Sequence, residues 1–140
     1  MTRDQISDMF ERRRAAYDRQ DATALAADYA VDCVVESPSG GTHQGRAAVE
    51  QVLRVVFNAL NVRVHQQAVI IDGDAVAQVV SIEGQDVGRF LGLAPTGKSF
   101  RVPGVFLYDL QDGQIVRERR IYDFTGVLIQ IGLLKAKPAD

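Results

Sequence analysis

The chain has no tryptophan, one cysteine, two histidines and four prolines, and these scarcities close off several classes of protein. A lone cysteine, Cys33, cannot form an internal disulfide, so no covalent framework holds the fold. His43 and His65 stand 22 positions apart, and with Cys33 they make no metal-ligand spacing. The thiol reads as a small buried hydrophobe. Positive charge is not in surplus either: 16 Lys and Arg against 18 Asp and Glu leave a net charge of −2 and a pI near 5.7. Such a balance offers no basic surface for a nucleic-acid backbone. Long apolar runs are missing, and the opening MTRDQISDMFERRRAAYDRQ is charged throughout, without the apolar stretch of a signal peptide or membrane span. A cytoplasmic location is expected, with neither nucleic acid nor membrane as partner.

What is present is an ordinary globular composition, 46% hydrophobic and 24% charged, in 140 residues. That length reads as one domain over residues 1–140, able to bury roughly 68% of its unfolded surface. Only the tail KAKPAD looks loose. Ile6, Met9, Phe10, Ala16 and Tyr17 form a helical stripe interrupted by Arg13, and a shorter helix after Asp21 carries Leu25 and Tyr29. A short strand and a Pro/Gly-rich loop follow in CVVESPSGGTHQG. The clearest helix begins near Gly45, because Val49, Val52, Leu53, Val56, Phe57 and Leu60 keep the i, i+3, i+4 rhythm. Beyond it the period becomes that of extended chain, with hairpin turns at Asp72-Gly73 and Asp112-Gly113. Helices first and paired strands afterwards predict an α+β fold, helices on one face of an antiparallel sheet.

Residues 92–99, GLAPTGKS, match the phosphate-loop pattern G-x-x-x-x-G-K-[ST]. A true phosphate loop enters a helix, whose N-terminus faces the anion. Here the chain continues as Phe100, Val102, Gly104, Phe106 and Tyr108 with Pro103 inside the run, which is strand alternation that proline forbids to a helix. The segment therefore reads as a loop between strands, with Pro95 fixing one dihedral, Gly97 allowing positive φ and Lys98 facing solvent.

A curved sheet closing over helices leaves an apolar pocket, and the informative residues are ionisable ones that point into it. Asp123 lies between Tyr122 and Phe124 before an apolar segment; there it either meets apolar neighbours as an acid/base with a raised pKa, or caps the last helix as Thr125 also could. Asp86 in GQDVG is a second carboxylate, either a helper to the first or a solvated turn residue. Tyr17 either offers its hydroxyl to a substrate oxygen or serves as packing. Phe57, Phe90, Phe106 and Tyr108 are the aromatic residues expected to line the pocket. Glu36 is open to either burial or solvation, His43 reads as a loop residue, and His65 as a strand-face residue. Arg117, Arg119 and Arg120 read as a solvated face, one of them able to pair with Glu118 or Asp123.

Three stretches carry a family resemblance: GRFLGLAPTGKSF (88–100), the turn QDGQI (111–115) and ERRIYDFTGVLIQIGLL (118–134). They resemble the SnoaL-like polyketide cyclases, which show a G-E-F-x-G-I-P-P-T-G-K-like loop, a D-G-K-I turn and a D-x-x-x-L-L-x-Q-L-G terminus. The order of elements is similar to the nuclear-transport-factor-two-like fold, a cone of curved antiparallel sheet wrapped around N-terminal helices. The resemblance implies a cofactor-independent cyclase or isomerase, with no metal, acting on a small hydrophobic carbonyl substrate. Asp123 matches the family's acid/base, which removes a proton beside a carbonyl and starts an intramolecular aldol closure.

The sequence also departs from its relatives. Asp86 stands where many members have histidine in G-T-H-T-G. VVESPSGG resembles the V-E-D-P stretch of ketosteroid isomerases, but Ser37 replaces their general-base aspartate. The Arg-x-Asp pair of limonene-epoxide-hydrolase-like proteins lacks its arginine, since Gly84 precedes Asp86 at that spacing. A non-catalytic small-molecule binder, or an isomerase-like or epoxide-hydrolase-like enzyme with an altered site, is the alternative. Alternating apolar residues such as Val105 and Leu107 on an open sheet face suit a homodimer. For the phosphate-loop pattern the expected outcome is no saturable ATP or GTP binding by titration calorimetry at micromolar protein. Nucleotide binding that disappears in Lys98→Ala would reinstate it.

Overall fold

Among the described residues, three of the four α-helices start at a side chain that accepts from their first backbone N–H groups, and the third in chain order starts at Gly45 without one. The computed structural model describes residues 1–135 and 137–139. In it, α1 (Arg3–Asp18) opens with a capping box: the Gln5 N–H donates to Thr2 Oγ1 at 3.1 Å and the Thr2 N–H to Gln5 Oε1 at 2.8 Å. Asp21 caps α2 (Ala22–Ala26), its Oδ1 accepting from the Ala24 N–H at 3.0 Å. The second helix is shorter than the sequence suggests. Tyr29 belongs to β1 (Tyr29–Ser37), where pairing opposite Ile115 captures it. After β2 (Gly41–Gln44), α3 (Arg46–Leu60) ends at Asn61 in the left-handed region. No helix among the described residues is long and apolar enough to cross a membrane.

β1, β2, β3 (Arg63–Asp72), β4 (Ala75–Gln85), β5 (Ser99–Gln111) and β6 (Gln114–Tyr122) form one sheet in the order β2-β1-β6-β5-β4-β3. All neighbours are antiparallel except β1 and β6, the first and last strands, which run parallel and need no turn between them. β2 was not expected, because four polar or glycine residues carry no alternation of hydrophobicity. The β3–β4 turn is centred on Gly73 and Asp74, one residue later than the Asp72-Gly73 signal. At β5–β6, Asp112 (φ 51°) and Gly113 (φ 77°) both take positive φ, as a two-residue I′ turn requires. Register shifts in the β1–β6, β3–β4 and β5–β6 pairs add twist, which curves the sheet around α1 and α3. On its outer face Val105, Leu107 and Ile121 are open to solvent or half-buried, the surface on which the sequence suggests a second copy.

The core contains charge as well as hydrocarbon. Arg13 does not interrupt the α1 stripe; it lies on it, fully buried. Its Nη1 donates to the Leu25 carbonyl at 2.9 Å and to Asp28 at 3.0 Å, and its Nη2 to the Tyr29 hydroxyl at 3.1 Å. The guanidinium also stacks over the Tyr29 and Tyr108 rings, 5.1 and 5.7 Å from their centroids. Burial opposes its charge, yet Tyr29, Tyr108, Tyr17 and Glu118 together hold its pKa well above the ordinary value. Tyr29 in turn donates to buried Glu118.

The 3₁₀ turn Phe90–Gly92 and the 92–98 loop join β4 to β5 over the end of α3. The N–H groups of Val87 and Gly88 both donate to the Ala59 carbonyl, at 3.1 and 2.9 Å. A Cβ at position 88 would strike the Asn58 carbonyl and lie 2.8 Å from the Ala59 Cα. Gly88→Ala should therefore lower stability by about 1–3 kcal/mol in urea unfolding, the usual cost of overpacking against backbone.

Alkali offers a second test. Burial first, with the Glu118 charge adding to it, raises the pKa of Tyr17, Tyr29 and Tyr108. Groups with raised folded pKa stabilise the fold below the unfolded value and lose that contribution as pH rises. Melting temperature should accordingly fall above about pH 10, and these three phenols should ionise only on unfolding, seen at the phenolate absorption band.

Candidate functional site

Strand alternation sends every second side chain to the concave face, and α3 stands off from that face far enough to leave a space. Counted together with the open solvent at its mouth, the empty space of this cavity is about 680 Å³. Val52, Leu53, Val56 and Phe57 line it from α3, and Val64, Ile82, Phe100 and Phe106 from the sheet. Phe90, Phe124 and Tyr122 form an aromatic chain beside them, with ring centroids 6.2 and 6.4 Å apart in edge-to-face contact.

Of the aromatic residues read from the sequence, Phe57, Phe90 and Phe106 line this cavity, and so does Tyr17. Tyr108 lies outside the lining. It packs edge-on to Phe10 at 4.9 Å and donates its hydroxyl proton to Gln78 at 2.9 Å, as core. The polar part of the lining is Tyr17, Ser37, Ser39, Tyr122 and Arg120. Tyr122 donates to Ser39 Oγ at 3.0 Å, and the Ser37 and Ser39 hydroxyls are also 3.0 Å apart.

Arg120 is the sole charged group among the described lining residues, and the solvated-face reading does not hold for it. Its Nε donates to Glu118 Oε2 at 2.9 Å and its Nη2 reaches Oε1 at 3.4 Å, with side chains 9% and 0% exposed. Arg117 and Arg119 do face outward, pairing with half-buried Glu36 at 2.7 and 3.4 Å. Burial opposes the charge on Arg120, but Glu118, Tyr29 and Tyr17 outweigh it and raise its pKa well above the ordinary value. A bulge explains why simple counting misplaces these side chains. Ile115 points inward opposite Leu110, the register then slips by one residue, and Glu118, Arg120 and Tyr122 take the inner positions instead of Arg117, Arg119 and Ile121.

The two aspartates stand apart from the lining. Asp86 is buried, not solvated: its Oδ2 accepts from the Thr96 N–H at 3.0 Å and lies 3.2 Å from the Thr96 hydroxyl, whose one proton goes to either that oxygen or the Ile131 carbonyl at 2.7 Å. It ties the 92–98 loop to the end of the last helix, α4 (Phe124–Gln130). Asp123 caps α4, its Oδ1 accepting from the Gly126 N–H at 2.8 Å, and its side chain is exposed. Its neighbours Tyr122 and Phe124 both line the cavity, whereas Asp123 itself is not among the lining residues. His65 pairs with Glu83 at 2.8 Å on the surface, and His43 lies on β2 with its pKa lowered by burial and by Arg120. No group of three or more His, Cys, Asp or Glu among the described residues is placed to hold a metal ion.

The family model for SnoaL-like polyketide cyclases matches residues 7–131, from α1 to the end of α4. A nogalonic acid methyl ester cyclase from Streptomyces nogalater is 32% identical over 94 residues, covering 66% of this chain and 70% of that protein. A candidate polyketide cyclase from Xanthomonas campestris superposes with a TM-score of 0.84 at 23% identity, over 92% of this chain and 98% of its own. A Catenulispora acidiphila protein with a ketosteroid isomerase-like fold, solved with trimethylamine, gives a TM-score of 0.77 at 22% identity over 96% of both chains. At those identities the two structures speak for the fold, and the sequence match for the family. A curved sheet closed over helices, an apolar cavity inside it and a match through nearly every element give one result: the chain belongs to the SnoaL-like polyketide cyclase family.

Proposed function

We propose that the cavity takes a small apolar molecule carrying a carbonyl group, and that the protein promotes proton transfer beside that carbonyl and an aldol-type ring closure. The carrying observation is the cavity itself: hydrocarbon and aromatic walls, with hydroxyls and one guanidinium gathered on one side. Such a wall orients a carbonyl while the rest of the substrate packs. Asp123 is the proposed acid/base. It stands in sequence between the lining residues Tyr122 and Phe124, and a rotation about its side-chain bonds that releases the Gly126 N–H would free the carboxylate for a substrate. Family membership supports the same assignment, since Asp123 stands in the D-x-x-x-L-L-x-Q-L-G-like terminus.

A second reading is a small-molecule binder without turnover. It is favoured by Asp123 being engaged as a cap and by the absence of any carboxylate among the described lining residues. Asparagine caps a helix as well as aspartate but cannot serve as a base, which separates the two. With an aldol-cyclising polyketide such as nogalonic acid methyl ester, Asp123→Asn should retain the melting temperature and lose about 100-fold or more in turnover. Asp123→Ala should lose turnover and about 1 kcal/mol of stability together. Wild-type turnover in Asp123→Asn would leave the carboxylate a cap and nothing more. Ligand binding by the wild type without turnover would establish the binder.

A further inference from the structure

We propose that Arg120 is an oxyanion site, so that the cavity selects apolar ligands carrying an ionisable enol or phenol and holds them as the anion. This deepens the proposed function, because an enolate is what proton removal beside a carbonyl creates. It is nevertheless a statement about binding that does not require Asp123.

The geometry of Arg120 carries the inference. One edge of the guanidinium, Nε and Nη2, is committed to Glu118. Nη1 makes no hydrogen bond among the described residues, and the side chain is in the cavity lining. A guanidinium N–H without a protein partner and open to the cavity is a donor that a ligand oxygen can take up as a charge-assisted hydrogen bond. The group is also held in place before any ligand arrives. Glu118 is gripped by the Tyr29 hydroxyl, Tyr29 by Arg13, and Arg13 by the Leu25 carbonyl and Asp28. A fixed guanidinium loses little conformational entropy on binding and needs no reorganisation as charge develops.

Charge counting agrees. Along the connected chain Arg12, Asp28, Arg13, Tyr29, Glu118 and Arg120, three guanidinium groups share two carboxylates. Arg12 is solvent-exposed and screened, whereas Arg13 and Arg120 are deep in the protein. Of the carboxylates near Arg120, Glu118 pairs with it directly, while Glu36, in a neighbouring surface hollow, is engaged by Arg117 and Arg119. Tyr17 from α1 and Tyr29 from β1 are kept protonated by burial, and His43 from β2 is kept neutral by burial and by Arg120 itself. Both Glu118 oxygens are already accepting hydrogen bonds. Ser37, Ser39 and Tyr122 beside it are neutral hydroxyls, suited to a second ligand oxygen.

The test uses 4-nitrophenol, whose phenolate absorbs at a longer wavelength than the phenol, with 4-nitrotoluene as the isostere that cannot ionise. Bound to the wild type, the probe should titrate about one pH unit or more below its solution pKa. The Glu118→Gln, Arg120→Met double variant removes both members of the buried pair together. It should keep its circular-dichroism melt, bind 4-nitrotoluene like the wild type, and lose the shift. Glu118→Gln alone removes the neutralising carboxylate and should deepen it. An unshifted titration in the wild type, or an equal shift in the double variant, would overturn the oxyanion site. Asp123→Asn should leave the probe titration as it is while turnover falls, so loss of the acid/base assignment and loss of the oxyanion site register in different measurements.

Discussion

The fully buried Arg13 is the constraint on which the rest of this structure depends. A guanidinium without access to water must find carboxylate, carbonyl, hydroxyl or aromatic partners inside the protein, and Arg13 takes them from α2, β1 and β5 at once. The partners it gathers are then themselves buried. Tyr29 passes the requirement to Glu118 and Glu118 passes it to Arg120, so a charged chain runs from the surface at Asp28 to the cavity wall. Removing one member of such a chain leaves another charge uncompensated, typically a loss of about 3–5 kcal/mol. The chain does little for net stability compared with hydrocarbon, but it sets one charged group in one orientation.

Around that fixed group the remaining elements make a container. α3 supplies an apolar side, Phe100 and Phe106 of β5 part of the opposite wall, and Phe90 of the 3₁₀ turn with Phe124 and Val127 of α4 complete the lining. Asp86 and Thr96 tie the loop before β5 to the end of α4, through the link to Ile131. The stretch GLAPTGKS thus acts as a strap between β4 and α4. Its glycine at 97, with φ 73°, lets the chain turn back so that the Gly97 N–H donates to the Asp86 carbonyl at 2.9 Å. No helix follows Lys98, so nothing there concentrates N–H groups on a phosphate.

The two groups of the proposed chemistry are separated in space. Asp123, the proposed acid/base, is exposed and caps α4. A guanidinium on the wall, Arg120, is permanently charged and immobile, which suits a group that receives developing negative charge.

Periodicity along the chain determined the helical stripe of α3, the alternation of β5, the I′ turn at Asp112-Gly113 and the α+β arrangement, because each depends on spacing within a few residues. The family was legible for the same reason, since the loop at 88–100 and the terminal segment are contiguous strings. Stripe and alternation sent Tyr17, Phe57, Phe106 and Tyr108 inward, but they do not tell a cavity wall from solid core, and Tyr108 belongs to the latter. The side-chain environment of Arg120 could not be read that way. One extra residue in β6 reverses inward and outward, and nothing in QIVRERRIY announces which residue it is. Arg13 looked like a break in a stripe because its partners lie 12 to 16 positions onward, on other elements. The role of Asp86 likewise depended on Thr96 and Ile131 meeting it. Local sequence determined which faces are apolar; only tertiary structure decided which charges those faces would enclose, because the compensation of a buried charge comes from partners distant in the chain.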